Sequence, residues 1–273
     1  MKSIVPLGTK DHSKAGNGLD ASDRDLKINI ASWPVKGMYQ PDGIAAYHFW
    51  GRTFLVTANE GDARDYDGLA EEARVGSSSY ELDPTAFPNA TDLTKNEALG
   101  RLTVTNQTGD TDGDFDEIHA FGARSFSIWD AATGRLVYDS GQDFEEITAR
   151  LLPAEFNSNH EENGSFDTRS DNKGAEPEGV VLGRVGHRTY AFVGLERIGG
   201  VMVFDITSPW RVEFETYVNP RDFGGDPEGG TAGDLGPEGL HFVPAWQSPT
   251  WKPLLLVGNE ISGTTTVYEV NLR

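Results

Sequence analysis

Three stretches of the chain repeat the same order of polar and apolar positions. Each begins with a Pro-acidic-Gly triplet, at 41–43, 177–179 and 237–239, and continues through two short apolar segments to an acidic residue. A third alternating segment follows each repeat, reading SFSIWD, VMVFDI and TTVYEV. Alternation with a period of two predicts strands, and repeats of roughly 40–50 residues built from short strands predict β-propeller blades.

Strand patterns bounded by Gly, Asp, Asn and Pro dominate the chain. They predict strands at 27–30, 44–49, 53–58, 125–129, 135–139, 180–183, 189–194, 201–206, 212–218, 240–243, 254–258 and 264–270. Helical periodicity is confined to 68–74 and 143–152. Two long insertions, 61–122 and 153–175, interrupt the repeats, and loops of this length are typically functional or disordered.

The fold class is therefore all-β, with blades of four antiparallel strands in a single, partial propeller domain over 1–273. The first two repeats supply four strands each, but the third supplies three, while LKINIASWPVKGMYQ near the N-terminus resembles a spare fourth strand. This makes about three and a half blades. Three arrangements fit: a piece of a larger ring such as a seven-bladed one, two chains pairing, or the N-terminal strand completing the last blade. We favour the first.

The composition limits the classes of molecule that the chain is expected to bind. The chain carries 43 acidic and 23 basic residues, a net charge of −20, which argues against nucleic acid or an anionic membrane and favours cations. A solvated acidic surface is the alternative explanation. Cysteine is absent, so disulfides and thiolate metal sites are excluded. No apolar run reaches the length of a membrane span, and MKSIVPLGTKDHSK has no signal-peptide core, so an exported protein would have lost its signal in this chain.

The strongest local motif is the acidic turn at 109–117. Its alternating carboxylates surround a glycine, which suits the six to eight oxygen ligands of calcium, although the spacing is not that of an EF-hand. The predicted ligands are Asp110, Asp112, Asp114, Asp116 and Glu117. The alternative is a charged, solvated turn. Six scattered histidines form neither HxH nor HExxH, so zinc has little support.

The repeated acids form the second candidate metal site, because equivalent positions in successive blades gather around one channel. The predicted ligands are Asp42, Glu60, Asp62, Glu178, Glu196, Glu238 and Glu260, with Glu176, Asn59 and Asn259 beside them. Carboxylates packed so closely must bind metal, pair with arginine or retain protons. Arg64 and Arg197 are the nearby arginines, so the repeated acids could equally serve only to fasten each blade.

Long phrases of the chain, among them LVTANEGDARDYD, FGARSFSIWD, TYAFVGLERIGGVMVFDIT and LVGNEISGTTTVYE, closely resemble the choice-of-anchor I family. These are secreted or surface-attached bacterial β-propeller proteins, often described as alkaline phosphatase-like, and the mesenchyme-specific cell-surface glycoproteins of animals look similar. The resemblance runs almost end to end and covers the later half of the family's domain. It implies a secreted, periplasmic or cell-surface propeller with calcium as cofactor.

The family resembles, more distantly, the calcium-dependent propeller phytases. By that analogy the repeated acids would hold calcium, and Arg64, Arg197, Asn59 and Asn259 would hold phosphate. Two functions remain open: a non-catalytic calcium-binding module that binds a glycan or a surface protein, and a calcium-dependent phosphomonoesterase acting on a phosphorylated small molecule. No catalytic residue is assigned, and a homodimer or a missing N-terminal half could complete the ring.

Overall fold

The computed structural model describes residues 4–271. The strands are β1 Thr9–Asp11, β2 Val35–Met38, β3 Ile44–Phe49, β4 Arg52–Asn59, β5 Asp65–Tyr66, β6 Leu69–Ala70, β7 Glu72–Arg74, β8 Thr103–Thr105, β9 Ile118–Ala120, β10 Ser125–Asp130, β11 Leu136–Asp139, β12 Pro177–Val185, β13 Arg188–Leu195, β14 Val201–Ser208, β15 Arg211–Val218, β16 Pro237–Val243, β17 Leu254–Asn259 and β18 Thr264–Glu269. The helices are α1 Ala90–Leu93 and α2 Asp143–Leu151.

The three repeats form three antiparallel sheets, as the alternation predicts. Their strand orders are β11-β10-β4-β3, β12-β13-β14-β15 and β16-β17-β18. The fold is all-β, and none of the sheets described closes on itself. The central strands are the most buried: all six residues of β10 are buried, and its polar residues Ser125, Ser127 and Asp130 are buried together with its apolar ones.

Two apolar cores hold the three sheets side by side. Between the first and second sheets, Phe126 and Phe204 pack with ring centroids 4.7 Å apart, and Phe144 of α2 joins them. Between the second and third sheets, Phe192 packs near Leu255 and stacks on Phe242. The third sheet is thus joined to the second through apolar contact rather than through hydrogen-bonded strands.

The first insertion is a folded unit and not a loop. Strands β7, β8 and β9 pair with β1 and β2 in the order β1-β2-β9-β8-β7, and a third core containing Val35, Val104 and Ile118 fills one side. The prediction that the N-terminal strand could complete the last blade is therefore wrong, because β2 pairs antiparallel with β1 and parallel with β9.

Two element predictions fail for identifiable reasons. The predicted helix 68–74 is instead β6 and β7, because Glu72–Arg74 pairs with β8. The predicted strand 27–30 does not form, since the Asn29 amide donates to Asp20 Oδ2 rather than to a neighbouring strand. The predicted helix 143–152 is confirmed as α2, and the second insertion, 153–175, contains turns without regular strands or helices.

Candidate functional site

The register of each repeat places two acidic positions at the same edge of its sheet. In the second sheet Pro177 pairs with Leu195, so Glu178 and Glu196 lie side by side where β12 begins and β13 ends. The third sheet repeats this, with Pro237 opposite Asn259. In an antiparallel pair, the start of one strand lies beside the end of the other. Every repeat therefore brings its Pro-acidic-Gly turn next to the acid that follows its second strand.

The sheets approach each other closely at this edge. The amide of Gly43 donates to the carbonyl oxygen of Glu178 across 3.0 Å. A Cβ at Gly43 would lie 2.6 Å from that oxygen, and a Cβ at Gly179 would lie 2.2 Å from the carbonyl oxygen of Glu238. Glycine is required at both positions, since any side chain would separate the sheets. The three turns therefore stand in succession along one edge.

The acids at this edge form what we call the acidic cluster: Asp42, Glu60, Glu176, Glu178, Glu196, Glu238 and Glu260. Two groups of three have a carboxylate oxygen each within 4.8 Å of one another. The first is Asp42, Glu60 and Glu178, and the second is Glu60, Glu176 and Glu196. Glu60 belongs to both groups, so the acids of the first and second repeats form one continuous set.

Three cations enter this cluster, and all of them converge on Glu176, whose side chain is fully buried. Lys173 Nζ lies 3.0 Å from Glu176 Oε2 and also bonds Glu60, while Arg197 Nε lies 3.1 Å from the same Glu176 oxygen. Arg169 pairs with Glu176 Oε1. Burial alone would raise the pKa of Glu176, but these three positive charges outweigh it and lower the pKa to about 2.

Glu178 and Glu196 are compensated less than Glu176. Burial raises the pKa of Glu178 to about 8, helped by the negative charges of Glu196 and Glu60. Burial also raises the pKa of Glu196 to about 8, helped by the charge of Glu176. Within residues 4–271, no lysine, arginine or histidine nitrogen lies within 4.0 Å of a carboxylate oxygen of Glu178.

One buried carboxylate oxygen of the cluster has neither a hydrogen bond nor an ion pair. Oε2 of Glu178 is buried and accepts no hydrogen bond from the residues described. A buried, unpaired carboxylate oxygen is costly unless a proton or a cation satisfies it. A hard divalent cation that prefers carboxylate oxygens, such as calcium, fits this arrangement of acids.

His160 borders the same region through the second insertion. Its Nε2 is 3.0 Å from Arg197 Nη1 and its Nδ1 is 3.5 Å from Glu196 Oε1. Burial, followed by the charge of Arg197, lowers the pKa of His160, so the imidazole is held neutral. The 153–175 insertion thus closes one side of the acidic cluster with His160, Arg169 and Lys173.

These three residues were not predicted as site residues from the sequence. A signal was present: Arg169 and Lys173 are the only arginine and lysine of an insertion otherwise rich in Asn, Asp, Glu and Ser. Isolated cations in such a segment indicate ion pairing, but sequence spacing alone does not reveal that their partner is Glu176.

Several predicted site residues lie elsewhere. Asp62 is exposed, and Arg64 pairs with Glu71 across 2.8 Å rather than with the acidic cluster. Asn59 is fully buried and donates to Ser125 and Ser127 of β10. Asn259 makes the equivalent bonds to Thr264 and Thr266 of β18. Both asparagines thus bond within their own sheets.

The acidic turn at 109–117 is a separate structure between β8 and β9. Asp110 Oδ1 accepts from the amide of Gly113 across 2.8 Å, and Asp116 accepts from Thr111. Oδ1 of Asp114 is buried and has no partner, and burial together with the charge of Asp112 raises the pKa of Asp114. No three carboxylates of this turn come within 4.8 Å of one another, so its calcium binding stays a prediction.

Comparison with known proteins places the chain in a family. The model of the choice-of-anchor I domain matches residues 1–209, which include the first sheet, strands β12, β13 and β14 of the second sheet, and both insertions. The chain belongs to the choice-of-anchor I domain family. The match ends before the third sheet, so Asp42, Glu60, Glu178 and Glu196 lie inside the matched region, while Glu238 and Glu260 lie beyond it.

Two curated relatives of this choice-of-anchor I chain are animal proteins. Gigasin-3a of Magallana gigas is 32% identical over 183 residues, covering 63% of this chain and 64% of the relative. A mesenchyme-specific cell surface glycoprotein of Strongylocentrotus purpuratus is 26% identical over 241 residues, covering 74% of this chain and 30% of the glycoprotein. The aligned part is thus less than two thirds of either relative.

No solved structure matches this choice-of-anchor I chain. Among residues 4–271, no helix has both the length and the apolar character needed to cross a bilayer.

Proposed function

We propose that this choice-of-anchor I chain is a calcium-binding module of a secreted or surface-attached protein, and that it binds a glycan or protein partner through the acidic cluster. The observation that carries the proposal is the pair of three-carboxylate groups sharing Glu60, with the buried Oε2 of Glu178 left without a partner. Oxygen ligands from several carboxylates are what calcium requires. A relative named as a cell surface glycoprotein supports the location.

The proposal includes the architecture. The three sheets are consecutive blades of one β-propeller domain, part of a larger ring such as a seven-bladed one, with the first insertion packed as a separate sheet. Support comes from the repeated contact between neighbouring sheets, in which Gly43 meets the carbonyl of Glu178 and Gly179 meets that of Glu238. In a propeller the acids of successive blades would converge on one channel, where a single ion can reach several of them.

Calcium-dependent stability tests the calcium part. Calcium at 100 times its dissociation constant should stabilise the protein by about 2.7 kcal/mol, because it binds the folded chain and not the unfolded one. The melting temperature should therefore rise when calcium is added to protein prepared in EDTA. The scan is run in about 0.5 M NaCl, which screens general repulsion in a chain of net charge −20.

A matched pair of variants locates the ion. Glu178→Gln removes a carboxylate of the acidic cluster, whereas Glu228→Gln removes an exposed one. The first should lose most of the calcium-induced rise in melting temperature, and the second should keep it. An identical rise in both variants would place any bound calcium outside the acidic cluster.

The second candidate function is a calcium-dependent phosphomonoesterase. It is supported by Arg197, whose side chain is one-fifth exposed at the border of the acidic cluster, where it could contact a phosphate. Calcium held by Glu60, Glu178 and Glu196 would polarise a phosphate and favour ionisation of a water molecule. Hydrolysis of p-nitrophenyl phosphate that needs calcium and is lost in Arg197→Met would support it. If calcium stabilises the protein but p-nitrophenyl phosphate is not hydrolysed, the non-catalytic binding module remains the proposed function.

A further inference from the structure

Four of the six tryptophans are exposed. Trp129 is buried and donates to Thr57 Oγ1, and Trp33 donates to the carbonyl oxygen of Leu19. The other four have between 56% and 90% of their surface exposed, and they are Trp50, Trp210, Trp246 and Trp251. Exposed apolar side chains that occur singly need no explanation, so the positions of these four decide what they mean.

All four lie at one edge of the sheets, which we call the tryptophan edge. Trp50 lies in the turn between β3 and β4, and Trp210 in the turn between β14 and β15. Trp246 and Trp251 lie in the connection between β16 and β17. The acidic cluster lies at the other ends of these sheets, where β3, β12 and β16 begin. Strand β4 has eight residues with a rise of about 3.3 Å each, so the two edges are about 26 Å apart.

Two of these indoles belong to a continuous aromatic surface across the first and second sheets. The ring of Trp50 lies nearly parallel to that of Phe49, with the centroids 5.7 Å apart. Trp210 meets Phe49 edge-on at 5.9 Å and meets the fully buried ring of Phe54 edge-on at 5.7 Å. Phe54 anchors this aromatic surface in the core. A ligand would therefore meet a surface that is already ordered, which lowers the entropic cost of binding.

The charges at the tryptophan edge are balanced, although the whole chain carries a net charge of −20. None of the three connections that hold these tryptophans contains an acidic residue, and each contains or is directly followed by a cation. Each cation has more than half of its side chain exposed and pairs with a carboxylate of its own sheet. The pairs are Arg52 with Asp130, Arg211 with Glu213, and Lys252 with Glu269. Because the charges compensate each other, this edge suits an uncharged ligand better than an anionic bilayer or a free cation.

Each pair also offers both kinds of hydrogen-bonding group. The guanidinium or ammonium group donates and the carboxylate accepts, whereas a hydroxyl can do both. A sugar ring has an apolar face of C–H groups and a rim of hydroxyls. An exposed indole beside such an ion pair is complementary to both parts, since the π face of the indole takes the C–H groups and the pair takes the hydroxyls.

We propose that the tryptophan edge binds an uncharged polysaccharide. Its sugar rings stack on Trp50, Trp210 and Trp251, and its hydroxyls bond the ion pairs beside these indoles. The tryptophan edge is separate from the acidic cluster and has no group of carboxylates that needs an ion. Binding there is therefore independent of calcium, and the inference does not rest on the proposed function.

Affinity electrophoresis tests this binding in native gels that contain xyloglucan, galactomannan, mixed-linkage β-glucan or dextran. At least one of these uncharged polysaccharides should retard the wild type, to the same extent in EDTA and in calcium. The double variant Trp50→Asn, Trp251→Asn should bind at least about tenfold more weakly, because buried aromatic contacts dominate binding. Asn tolerates the positive φ of 48° and 57° at these positions, so the melting temperature should not change.

Tyr66→Asn is the matched control, because it removes an exposed aromatic ring on β5, outside the tryptophan edge, and should bind as the wild type does. Retardation by none of the four polysaccharides, or equal retardation of the control and the double variant, would overturn the proposal. Retardation that needs calcium and is lost in Glu178→Gln would place the sugar at the acidic cluster, which overturns this inference and leaves the proposed function standing.

Two other occupants of the tryptophan edge have their own measurements with the same double variant. Binding of the wild type, but not of the double variant, to vesicles of phosphatidylcholine and phosphatidylserine would assign the edge to a lipid surface. Self-association that the double variant abolishes would assign it to a second copy of the chain. Either result without retardation by a polysaccharide overturns the proposal.

Discussion

Glu176 and Glu178 stand two positions apart in the chain and are held in opposite states. The pKa of Glu176 is lowered by Arg169, Lys173 and Arg197 against the effect of burial, whereas the pKa of Glu178 is raised by burial and by neighbouring carboxylates. Regular strand alternation would turn two such residues to the same face, but Glu176 lies just before the strand that begins at Pro177 and has a positive φ of 55°, so its side chain leaves the pleat followed by the strand. Glu176 therefore acts as a fixed anion that anchors the second insertion, and Glu178 stays available to a ligand.

Calcium binding should release protons at neutral pH. Glu178 and Glu196 have pKa values of about 8 in the metal-free protein, so both are largely protonated at pH 7 and must ionise to bind a cation. Calorimetry at pH 7 in two buffers of different ionisation heat should show this release, and Glu178→Gln should reduce it. Equal heats in both buffers at pH 7 would contradict the raised pKa values.

The raised pKa of Glu178 also determines how stability changes with pH when calcium is absent. The folded pKa of Glu178, about 8, lies above its ordinary value of 4.5, so the folded state binds more protons than the unfolded state between these two pH values. The contribution of this group to stability is fully present below pH 4.5 and is lost as pH rises towards 8. Melting curves in EDTA should show a smaller loss over this range for Glu178→Gln than for the wild type.

Lys173 should contribute more to stability than an exposed lysine whose ion pair is equally short. Its side chain is 13% exposed and bridges Glu60 and Glu176, so Lys173→Met leaves buried negative charge uncompensated and should cost about 3–5 kcal/mol. Lys252→Met breaks an exposed pair with Glu269 and should cost less than about 1 kcal/mol. Urea unfolding measures both. Equal losses would mean that Glu60 and Glu176 find other partners.

At the scale of elements, the repeats could be predicted from the sequence because alternation and burial agree there. Every strand predicted between 44–58 and between 125–139, and every strand from 180 onwards, is confirmed within a few residues. The failures come where distant contacts decide. Helix-forming residues at 72–74 are held as a strand by β8, and the Asn29 amide is taken by the side chain of Asp20. Local propensity cannot anticipate either partner.

The candidate site was predictable to a similar degree. Equivalent positions of a repeat must meet at one edge, which is why Asp42, Glu60, Glu178 and Glu196 were identified and lie together. Closeness in the sequence predicted the site less well: Arg64 lies four residues after Glu60 but forms its ion pair with Glu71. Arg169 and Lys173, two of the positively charged side chains that pair with Glu176, come from an insertion without strand or helix periodicity. Their positions relative to the sheets therefore could not be predicted from the sequence.

The packing of one sheet on the next makes a prediction with an internal control. Gly179→Ala would place a Cβ 2.2 Å from the carbonyl oxygen of Glu238, so the two sheets must separate, and the variant should lose about 1–3 kcal/mol. Gly239 occupies the same position in the third repeat but has no atom within 4 Å of a Cβ there. Gly239→Ala should change stability by less than about 0.5 kcal/mol. Similar losses in both would mean that backbone flexibility, not sheet contact, sets the cost.

At the scale of the whole molecule, the empty space at Gly239 marks the flank where the third sheet has no neighbour among residues 4–271. Gly43 and Gly179 each contact the backbone carbonyl of the following turn. The equivalent space beside Gly239 is empty and could take the turn of a further sheet. A sheet edge and flank left open in this way favour association with another chain. The chain should therefore self-associate as its concentration rises, with the third sheet in the contact.

Sedimentation velocity over a range of concentrations measures this association. Gly239→Val fills the empty space beside Gly239 without touching the second sheet. It should leave the melting temperature unchanged and weaken self-association. Thr265→Val places the same side chain at an exposed position on β18 of the same sheet; it is the control and should associate as the wild type does. If Gly239→Val associates as strongly as the control, the contact lies elsewhere on the molecule, and the third sheet is not where further sheets are added.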